Sequence, residues 1–312
     1  MVYNTDRANK EVVFRGCHKI IKVSDGYVLK KYYGKDKEFV IPDGVTKIDK
    51  GAFFQCTTLT KITIPESVTS IGERAFFECT SLTDINIPAG VTNIGNSAFY
   101  ECTSLTDINI PAGVTSIGDR AFYNCESLTS VTIAKGVTSI GDKAFGKCTS
   151  LTDINIPAGV TSIGNYAFTS CCSITNVNIP YGVATIGEYA FSGCDSITDI
   201  IIPNSVTMIG NSAFAYCASI TNLTISNSIT SIENDLFRGC TSLTSVIIPD
   251  GVTTIGEHAF GYCSSLKTVT IPDSVTNIGD SAFIALYNTI KCKAGSYAEK
   301  YAKSNSIKYE LI

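Results

Sequence analysis

A phenylalanine recurs every 23 residues through most of this chain of 312 residues. Its eleven copies are Phe53, Phe76, Phe99, Phe122, Phe145, Phe168, Phe191, Phe214, Phe237, Phe260 and Phe283. Ten cysteines keep the same step from Cys56 to Cys263, and all nine prolines lie in one column from Pro42 to Pro272. Such self-similarity is typical of repeat proteins, in which each unit buries its apolar face only by stacking on its neighbours. The sequence therefore predicts a repeat solenoid.

One turn of the pattern is Ser81–Cys102, SLTDINIPAGVTNIGNSAFYEC. Residues 82–87 alternate apolar and polar, which predicts a half-buried strand that ends at Pro88 because proline has no N–H to donate. We expect Gly95 to take a positive φ and residues 98–102 to form a short helical or 3₁₀ turn. Eight of the 23 positions then face the interior, and stacking gives parallel strands and a phenylalanine stack.

The turn at residues 225–238 departs most from this template. Ser226 replaces the proline, Glu233 replaces the glycine, and Leu236 replaces the alanine beside Phe237. A non-glycine where positive φ is expected, and a larger side chain beside phenylalanine, predict a bent or loosened turn. Simple drift of the repeat is the alternative interpretation.

Three segments are predicted: an N-terminal cap at 1–40, about eleven repeats at 41–283, and a C-terminal cap at 284–312. In the first, residues 27–33 and 38–41 are expected to pair as a β-hairpin around the turn at 34–37. In the last, Thr289–Cys292 is expected to add a strand, and Ser296 to cap a short helix whose Tyr and Ala side chains share one face. The caps would cover the open ends of the repeat.

The repeat segment is acidic. The net charge of the chain is −4, but residues 41–283 carry ten Lys or Arg against twenty-one Asp or Glu, so this segment is near −11 between two basic ends. A body of this sign repels nucleic acid and anionic lipid, and we expect neither as a partner. We also expect no leader and no membrane-spanning segment in the chain, because no apolar stretch has the required length and flanks.

The thirteen cysteines would suggest disulfides in a small secreted protein. One cysteine per turn in a fixed column instead favours a small buried side chain with a free thiol. Bridges between adjacent turns are the alternative, because turns about 4.8 Å apart do not exclude them by distance. A row of free thiols favours a reducing compartment.

The template IPxGVTxIGxxAFxxCxSLTxIxIP resembles the BspA-like, or Treponema pallidum type, leucine-rich repeats from about Tyr27 onward. The closing segment 295–302, GSYAEKYA, is similar to the usual C-terminal cap of that family. The resemblance implies a leucine-rich-repeat-like curved, right-handed solenoid with a parallel β-sheet on the concave face and short extended or 3₁₀ segments elsewhere. It also implies a surface or secreted protein of host-associated bacteria or protozoa that acts in adhesion and protein binding.

No catalytic constellation is visible in the sequence. The chain has two histidines, His18 and His258, and neither stands beside a nucleophile or a second ligand. We therefore expect no enzyme activity, no cofactor and no metal site. Calcium on the column of aspartates is a further possibility, although a flat sheet spreads apart the oxygens that Ca²⁺ needs to converge.

Binding is predicted on the outward positions of the strands. The candidates are Asp84, Asn86, Asp107, Asn109, Asp153, Asn155, Asn176, Asn178, Asp199, Ile201, Asn222 and Ile247. Acids and amides dominate up to Asn178, and exposed isoleucines follow, which suits a protein partner with a basic patch. The alternative is a solvated face whose Asn and Thr ladders satisfy one another across the strands.

Aromatic residues just after the core phenylalanine, Phe54, Phe77, Tyr100 and Tyr123, are a second candidate surface, or else they shield the convex side of the core. The sequence thus favours a monomeric, non-enzymatic protein-binding module at the cell surface or secreted. A soluble intracellular scaffold is the main alternative, and an accessory module of a larger enzyme is a third.

Overall fold

A computed structural model describes the backbone of residues 2–5, 11–15, 17–284 and 289–312, and the side chains of 17–284 and 289–312. The chain divides into two compact units, Met1–Leu151 and Thr152–Ile312. Each unit is a parallel-strand β-solenoid with a 23-residue spacing between equivalent strands. The predicted fold class is confirmed.

The first unit contains two kinds of strand, which alternate along the chain. Its strands are β1 (Val2–Thr5), β2 (Glu11–Arg15), β3 (His18–Val23), β4 (Gly26–Tyr32), β5 (Glu38–Val40), β6 (Val45–Ile48), β7 (Lys61–Thr63), β8 (Ser70–Ile71), β9 (Asp84–Ile85), β10 (Asn93–Ile94), β11 (Asp107–Ile110), β12 (Ser116–Ile117), β13 (Ser130–Ile133) and β14 (Ser139–Ile140). The strands β6, β8, β10, β12 and β14 pair in parallel, and we call this ladder 1. The strands β5, β7 and β9, and then β11 and β13, form ladder 2.

The second unit repeats both ladders. Its elements are β15 (Asp153–Asn155), β16 (Ser162–Ile163), β17 (Asn176–Asn178), β18 (Thr185–Ile186), β19 (Asp199–Ile201), β20 (Met208–Ile209), β21 (Asn222–Thr224), β22 (Ser231–Ile232), β23 (Ser245–Ile247), β24 (Thr254–Ile255), β25 (Thr268–Thr270), β26 (Asn277–Ile278), β27 (Thr289–Cys292), α1 (Tyr297–Ser304) and β28 (Lys308–Leu311). Ladder 1 holds the even-numbered strands β16–β26, and ladder 2 holds the odd-numbered strands β15–β27 together with β28.

The core of each turn consists of the eight predicted positions. In the turn that contains Phe99 they are Leu82, Ile85, Ile87, Val91, Ile94, Ala98, Phe99 and Cys102, and all are buried. The phenylalanine rings stack in register, with Phe76 and Phe122 each 5.1 Å from Phe99 between ring centroids. Burial of this apolar surface stabilises the stack by roughly 25 cal/mol per Å².

The cysteine column packs behind the phenylalanines. The thiol of Cys102 donates to the carbonyl oxygen of Phe76 over 3.1 Å, and Cys125 makes the same contact with Phe99 over 3.2 Å. The thirteen cysteines are free, and nine of the ten in the column are buried. Eight of these buried thiols therefore act as apolar side chains that also satisfy a backbone carbonyl of the preceding turn.

On the phenylalanine side, tight turns replace the predicted 3₁₀ segment. The amide of Cys102 donates to Phe99 O over 3.2 Å, as in a 3₁₀ turn, but Ser97 (φ 55°) and Glu101 (φ 55°) are left-handed and prevent a continuous helix. The amides of Ser97, Phe99 and Glu101 instead donate to the next turn over 2.7–2.8 Å. The phenylalanine side thus adds a third set of hydrogen bonds between successive turns, besides those of ladders 1 and 2.

The prediction of a positive φ at Gly95 is wrong. The left-handed residues of this turn are Ser97 and Glu101, two and six positions after Gly95, and Gly95 itself does not have a positive φ. A Cβ on Gly95 would lie 2.5 Å from Glu73 N in the preceding turn, which is closer than real Cβ atoms approach. The glycine is therefore required by the close approach of two backbones.

The predicted pairing of residues 27–33 with 38–41 is also wrong. The strand β4 forms its antiparallel hairpin with β3 and pairs in parallel with β6, so it begins ladder 1. The strand β5 pairs in parallel with β7 and begins ladder 2. The short connection at 34–37 therefore joins two ladders, and Tyr32 and Phe39 on either side of it pack on Phe53 at 5.4 and 5.9 Å.

The C-terminal predictions are confirmed for the individual elements. Thr289–Cys292 forms β27, and Ser296 caps α1 by accepting from the amide of Glu299 over 3.2 Å. Ala298 and Ala302 are buried, and the ring of Tyr301 meets the edge of Phe283 at 6.1 Å. The boundaries of the three predicted segments stay a prediction.

The turn at 225–238 interrupts both ladders of the second unit. Ladder 1 ends at β20 and resumes at β22, and ladder 2 ends at β21 and resumes at β23. One turn earlier, the amide of Ile202 donates to Thr224 O over 2.9 Å. Among the described residues, no hydrogen bond of this kind joins Ile225 to β23. The predicted loosening of this turn is confirmed.

Glu233 explains the interruption of ladder 1 by its volume. At the equivalent Gly210, an added Cβ would lie 2.4 Å from Glu188 N. The side chain of Glu233 therefore needs extra space towards the preceding turn. The amide of Gly210 donates to Ile186 O over 2.8 Å. In the described part of the chain, the amide of Glu233 makes no equivalent hydrogen bond to Ile209 O. Steric exclusion, rather than the expected φ strain, therefore separates β22 from β20.

The phenylalanine side of this turn stays connected. The amide of Tyr216 donates to Arg238 O over 2.6 Å, while the rings of Phe214 and Phe237 are 5.8 Å apart, against 5.2 Å for Phe168 and Phe191. The buried Leu236 fills the alanine position beside Phe237. The two turns therefore separate mainly on their strand side.

Candidate functional site

Eleven of the twelve predicted binding residues lie on strands of ladder 2, Asn86 directly follows β9, and all twelve side chains are exposed. In the first unit they are Asp84, Asn86, Asp107 and Asn109, and in the second they are Asp153, Asn155, Asn176, Asn178, Asp199, Ile201, Asn222 and Ile247. Because side chains alternate across a strand, the residues between them, such as Ile108 and Val177, point into the core. We call the outward side of ladder 2 in each unit its strand face.

On the strand face of the second unit, one row joins acids and amides directly. Asp153 is opposite Asn176, Asn176 is opposite Asp199, and Asp199 is opposite Asn222. Asn222 Nδ2 donates to Asp199 Oδ1 over 2.5 Å, and Thr198 Oγ1 donates to Asp199 Oδ2 over 2.6 Å. The bonds from Thr198 and Asn222 hold the pKa of Asp199 below its usual value, so its carboxylate is an oriented anion at neutral pH.

On the strand face of the first unit, one acid is paired and one is not. Lys61 Nζ lies 2.7 Å from Asp84 Oδ2, an exposed contact of a kind worth at most about 1 kcal/mol. Asp107 accepts only from Thr106 Oγ1, over 2.9 Å, and no ion pair to it is found among the described residues. Asp84 is therefore partly neutralised, whereas the charge of Asp107 is not offset by an ion pair within the described residues.

A neighbouring column of threonines forms hydrogen bonds between adjacent turns. Thr83 Oγ1 donates to Thr60 O over 3.1 Å, and Thr221 Oγ1 donates to Thr198 O over 3.3 Å. The side chains of Asn155 and Asn178, by contrast, make no hydrogen bond within the part of the chain that the structure describes. Mutual satisfaction of an Asn ladder therefore does not account for these amides, which are open to other partners.

A family model supplies the comparison that decides the family. The model described as "BspA type Leucine rich repeat region" matches in six copies, over residues 31–152, 115–244 and 161–290. The chain belongs to this family. Leucine-rich repeat proteins generally bind proteins, and most are not enzymes. No match was found among curated protein sequences.

Solved structures agree with the leucine-rich repeat fold. A leucine-rich cell surface protein from Faecalibacterium prausnitzii is 31% identical, covers 95% of this chain and 97% of its own, and has a TM-score of 0.58. A leucine-rich repeat protein from Bacteroides ovatus is 26% identical over 100% of this chain and 98% of its own, with a TM-score of 0.54. The pneumococcal vaccine antigen PcpA, 19% identical over 96% and 98% with a TM-score of 0.61, shares the fold.

The aromatic candidates of this repeat protein stack on one another. Phe77 and Tyr100 are 4.6 Å apart, and Phe54 and Tyr123 extend the stack at 5.0 and 5.3 Å. All four rings are half-buried, and Arg74 lies over Phe77 at 5.6 Å. Since the ring faces are covered by neighbours, this stack favours shielding of the core over ligand binding.

The described residues contain no group of three or more His, Cys, Asp or Glu placed to hold a metal ion. His18 is buried with its ring against Phe39, 5.3 Å between centroids, and His258 is half-buried in a left-handed turn position (φ 52°). Within the same residues, no helix has the length and apolar character to cross a bilayer.

One feature of the strand face was not predicted. Between β21 and β23 the interrupted ladder leaves an open cleft of about 400 Å³. Leu223, which the alternation of β21 points into the core, is half-buried there, whereas its counterparts Ile200 and Val246 are buried. Glu233 does not account for this cleft, because its side chain crowds the preceding turn at β20, whereas the cleft opens towards the following strand β23.

Proposed function

We propose that this chain is a non-enzymatic protein-binding module, displayed at a cell surface, that recognises a partner or adheres to it through the strand face. The observation that carries the proposal is the division of labour on ladder 2. Threonines bond the strands together, while in the described residues the amides of Asn155 and Asn178 make no hydrogen bond and Asp107, Asp153 and Asp199 form no ion pair. Such side chains on a rigid sheet are arranged for recognition at low entropic cost.

The charge of the face selects the partner. Asp107, Asp153 and Asp199 are exposed, and in the described residues none forms an ion pair. We infer a protein ligand with a basic patch, whose approach these carboxylates accelerate and orient. The similarity to a cell surface protein of Faecalibacterium prausnitzii supports a surface location in a bacterium.

Site-specific cross-linking tests this function. A photoreactive side chain placed at Asn155 or Asn178, in protein incubated with the source cells and with cells they adhere to, is expected to yield a discrete protein adduct. The same group at the exposed Glu66 or Glu257, which lie off the strand face, is the matched control and is expected to yield none. Adducts that form equally from all four positions, or from none, would contradict the proposal.

The charge requirement is measured on the same adducts. The triple variant Asp107→Asn, Asp153→Asn and Asp199→Asn is expected to lower the yield about ten-fold, because each close charge pair contributes to encounter and lifetime. The matched triple variant Glu66→Gln, Glu126→Gln and Glu257→Gln removes the same charge off the face and is expected to leave the yield unchanged.

The buried thiols favour a second candidate, a soluble intracellular scaffold for protein–protein interaction. Nine column cysteines are free and buried, which suits a reducing compartment. Labelling of intact source cells with a membrane-impermeant biotin reagent separates the two functions. Labelling of exposed lysines supports the surface module, whereas protection until lysis supports the scaffold.

A further inference from the structure

The cleft between β21 and β23 is the least regular part of the strand face in the second unit. It is lined by Thr221, Leu223, Asn227, Val246, Ile247 and Pro249. Ladder 2 is open at this turn, so the facing edges of β21 and β23 keep backbone groups that paired neighbours would bond. An interrupted ladder with an apolar floor is a place where another chain can insert a side chain.

Large apolar side chains stand on both sides of this cleft. Ile201 on β19 is 66% exposed and Ile247 on β23 is 72% exposed, although asparagine or threonine occupies the same row on the other strands from β15 to β25. Beyond Ile247 a second open cavity of about 550 Å³ is bordered by Ile248 and Ile271. Clustered exposed apolar residues with polar surroundings mark interaction sites.

An anion lies beside the apolar patch. Asp199 precedes Ile201 by two residues on β19, so both side chains point outward from the same strand. Thr198 and Asn222 orient its carboxylate, and no cation neutralises it in the described part of the chain. The nearest basic residue in these rows, Lys291 on β27, is paired with Glu310 at 3.6 Å.

The width of the cleft limits what enters it. Cα atoms of β21 and β23 lie within 8 Å of each other, whereas an inserted strand needs two spacings of about 4.8 Å, or roughly 9.6 Å. A whole strand therefore does not fit between them. The open volume of about 400 Å³ on the outer side of β21 and β23 instead suits a single aliphatic side chain whose backbone lies across the face.

Resting on the proposed function, we infer that this cleft anchors an extended segment of the partner protein that carries Lys or Arg and an aliphatic residue two positions apart. The aliphatic side chain enters the cleft beside Leu223 and Ile247, and the cation pairs with Asp199. In an extended segment, side chains two positions apart lie on the same side, about 6.6–7 Å from each other, so both can face the strand face.

A defined peptide tests the inference. The probe is fluorescein-labelled Thr-Thr-Arg-Thr-Leu-Thr-Thr, and binding to the full chain is followed by fluorescence anisotropy. We expect saturable binding below millimolar concentration, weakened at least five-fold when Arg is replaced by Glu or Leu by Ser in the peptide. A peptide with Arg and Leu adjacent, on opposite sides of the extended chain, is expected to bind as weakly as these.

Variants of the protein locate the binding. Ile247→Thr and Ile201→Thr introduce a residue found elsewhere in their row and are expected to weaken binding at least five-fold each, as is Asp199→Asn. Met208→Ser removes an equally exposed apolar side chain (63%) on ladder 1 and is the matched control, with binding unchanged.

A variant with a restored turn tests whether the peptide needs the cleft itself or only the exposed apolar residues around it. The triple variant Ser226→Pro, Glu233→Gly and Leu236→Ala restores the template in the turn that carries β21 and β22. It is expected to restore the regular spacing of this turn to both of its neighbours, which closes the cleft and abolishes peptide binding although Asp199, Ile201 and Ile247 remain. Absence of binding to the unaltered chain, or unchanged binding to the repaired chain, would overturn the inference. If cross-links from Asn155 and Asn178 persist in that case, the proposed function survives; if they are absent too, both fail.

Discussion

The free energy of unfolding is expected to fall steeply as the pH rises above about 9. Burial raises the pKa of eight column thiols, Cys79, Cys102, Cys125, Cys148, Cys194, Cys217, Cys240 and Cys263. The pKa of Cys217 and Cys263 rises to about 12. Between pH 9 and 12 the unfolded chain releases these protons and the folded chain keeps them, so the unfolded state gains stability with each unit.

The size of this effect follows from the number of thiols. Each contributes up to about 1.4 kcal/mol per pH unit, so eight together approach 11 kcal/mol per unit, comparable with the whole stability of a typical domain. We therefore expect cooperative unfolding near pH 10, followed by far-ultraviolet circular dichroism or by urea titration at each pH.

Variants in the cysteine column isolate the thiols from the lysines and tyrosines that titrate in the same range. The double variant Cys125→Ala and Cys148→Ala removes two of the eight groups and should reduce the slope by about a quarter, at some cost in stability at pH 7. Stability that stays constant from pH 8 to 10 would show that the cysteines are oxidised or exposed, and the structural account of the column would be incorrect.

Replacement of Gly95 by alanine is expected to destabilise the protein by about 3 kcal/mol, because the added methyl group meets the preceding turn and overpacks it. The Cβ would lie 2.5 Å from Glu73 N and 2.7 Å from Gly72 C, and both are backbone atoms. To relieve the contact, the strands of ladder 1 must separate locally, as they do at Glu233. Urea unfolding of the variant and of the original chain measures the difference.

Gly90 in the same turn is the matched control. Its added Cβ would meet Glu66 O at 3.5 Å, an ordinary contact, and the preceding turn already places Ser67 at this position. Gly90→Ala is therefore expected to leave stability unchanged or to raise it by up to about 1 kcal/mol, through a less flexible unfolded chain. Equal losses in the two variants would mean that the close approach at Gly95 does not exist.

The regular part of this fold could be predicted because the same residue pattern occurs eleven times in the sequence. The periods of Phe99 and Cys102 give the stack and the thiol column, and the alternation around Ile85 gives the outward residues of ladder 2. The loosened turn could also be predicted, because Glu233 and Leu236 depart from an otherwise strict repeat and are visible in the sequence alone.

Other features depend on contacts that one sequence does not display. The left-handed positions hold residues as different as Arg74, Ser97 and Tyr166, so no residue preference marks them. The role of Gly95 depends on the distance between its backbone and the preceding turn. The partners of β4 depend on the three-dimensional path of the chain, which places β4 in ladder 1 and β5 in ladder 2. The strand face could be listed in advance, but the cleft at Leu223 arises only when two turns separate.

Amide hydrogen exchange tests the central claim, that the turn at 225–238 opens both ladders. The amides of Ile202 and Gly210 are bonded to neighbouring turns at 2.9 and 2.8 Å, and Ile225 and Glu233 occupy the same positions one turn later. We predict that Ile225 and Glu233 exchange at least about 100-fold faster than Ile202 and Gly210 under native conditions. Equal protection of all four amides would contradict the opened turn and the cleft it creates.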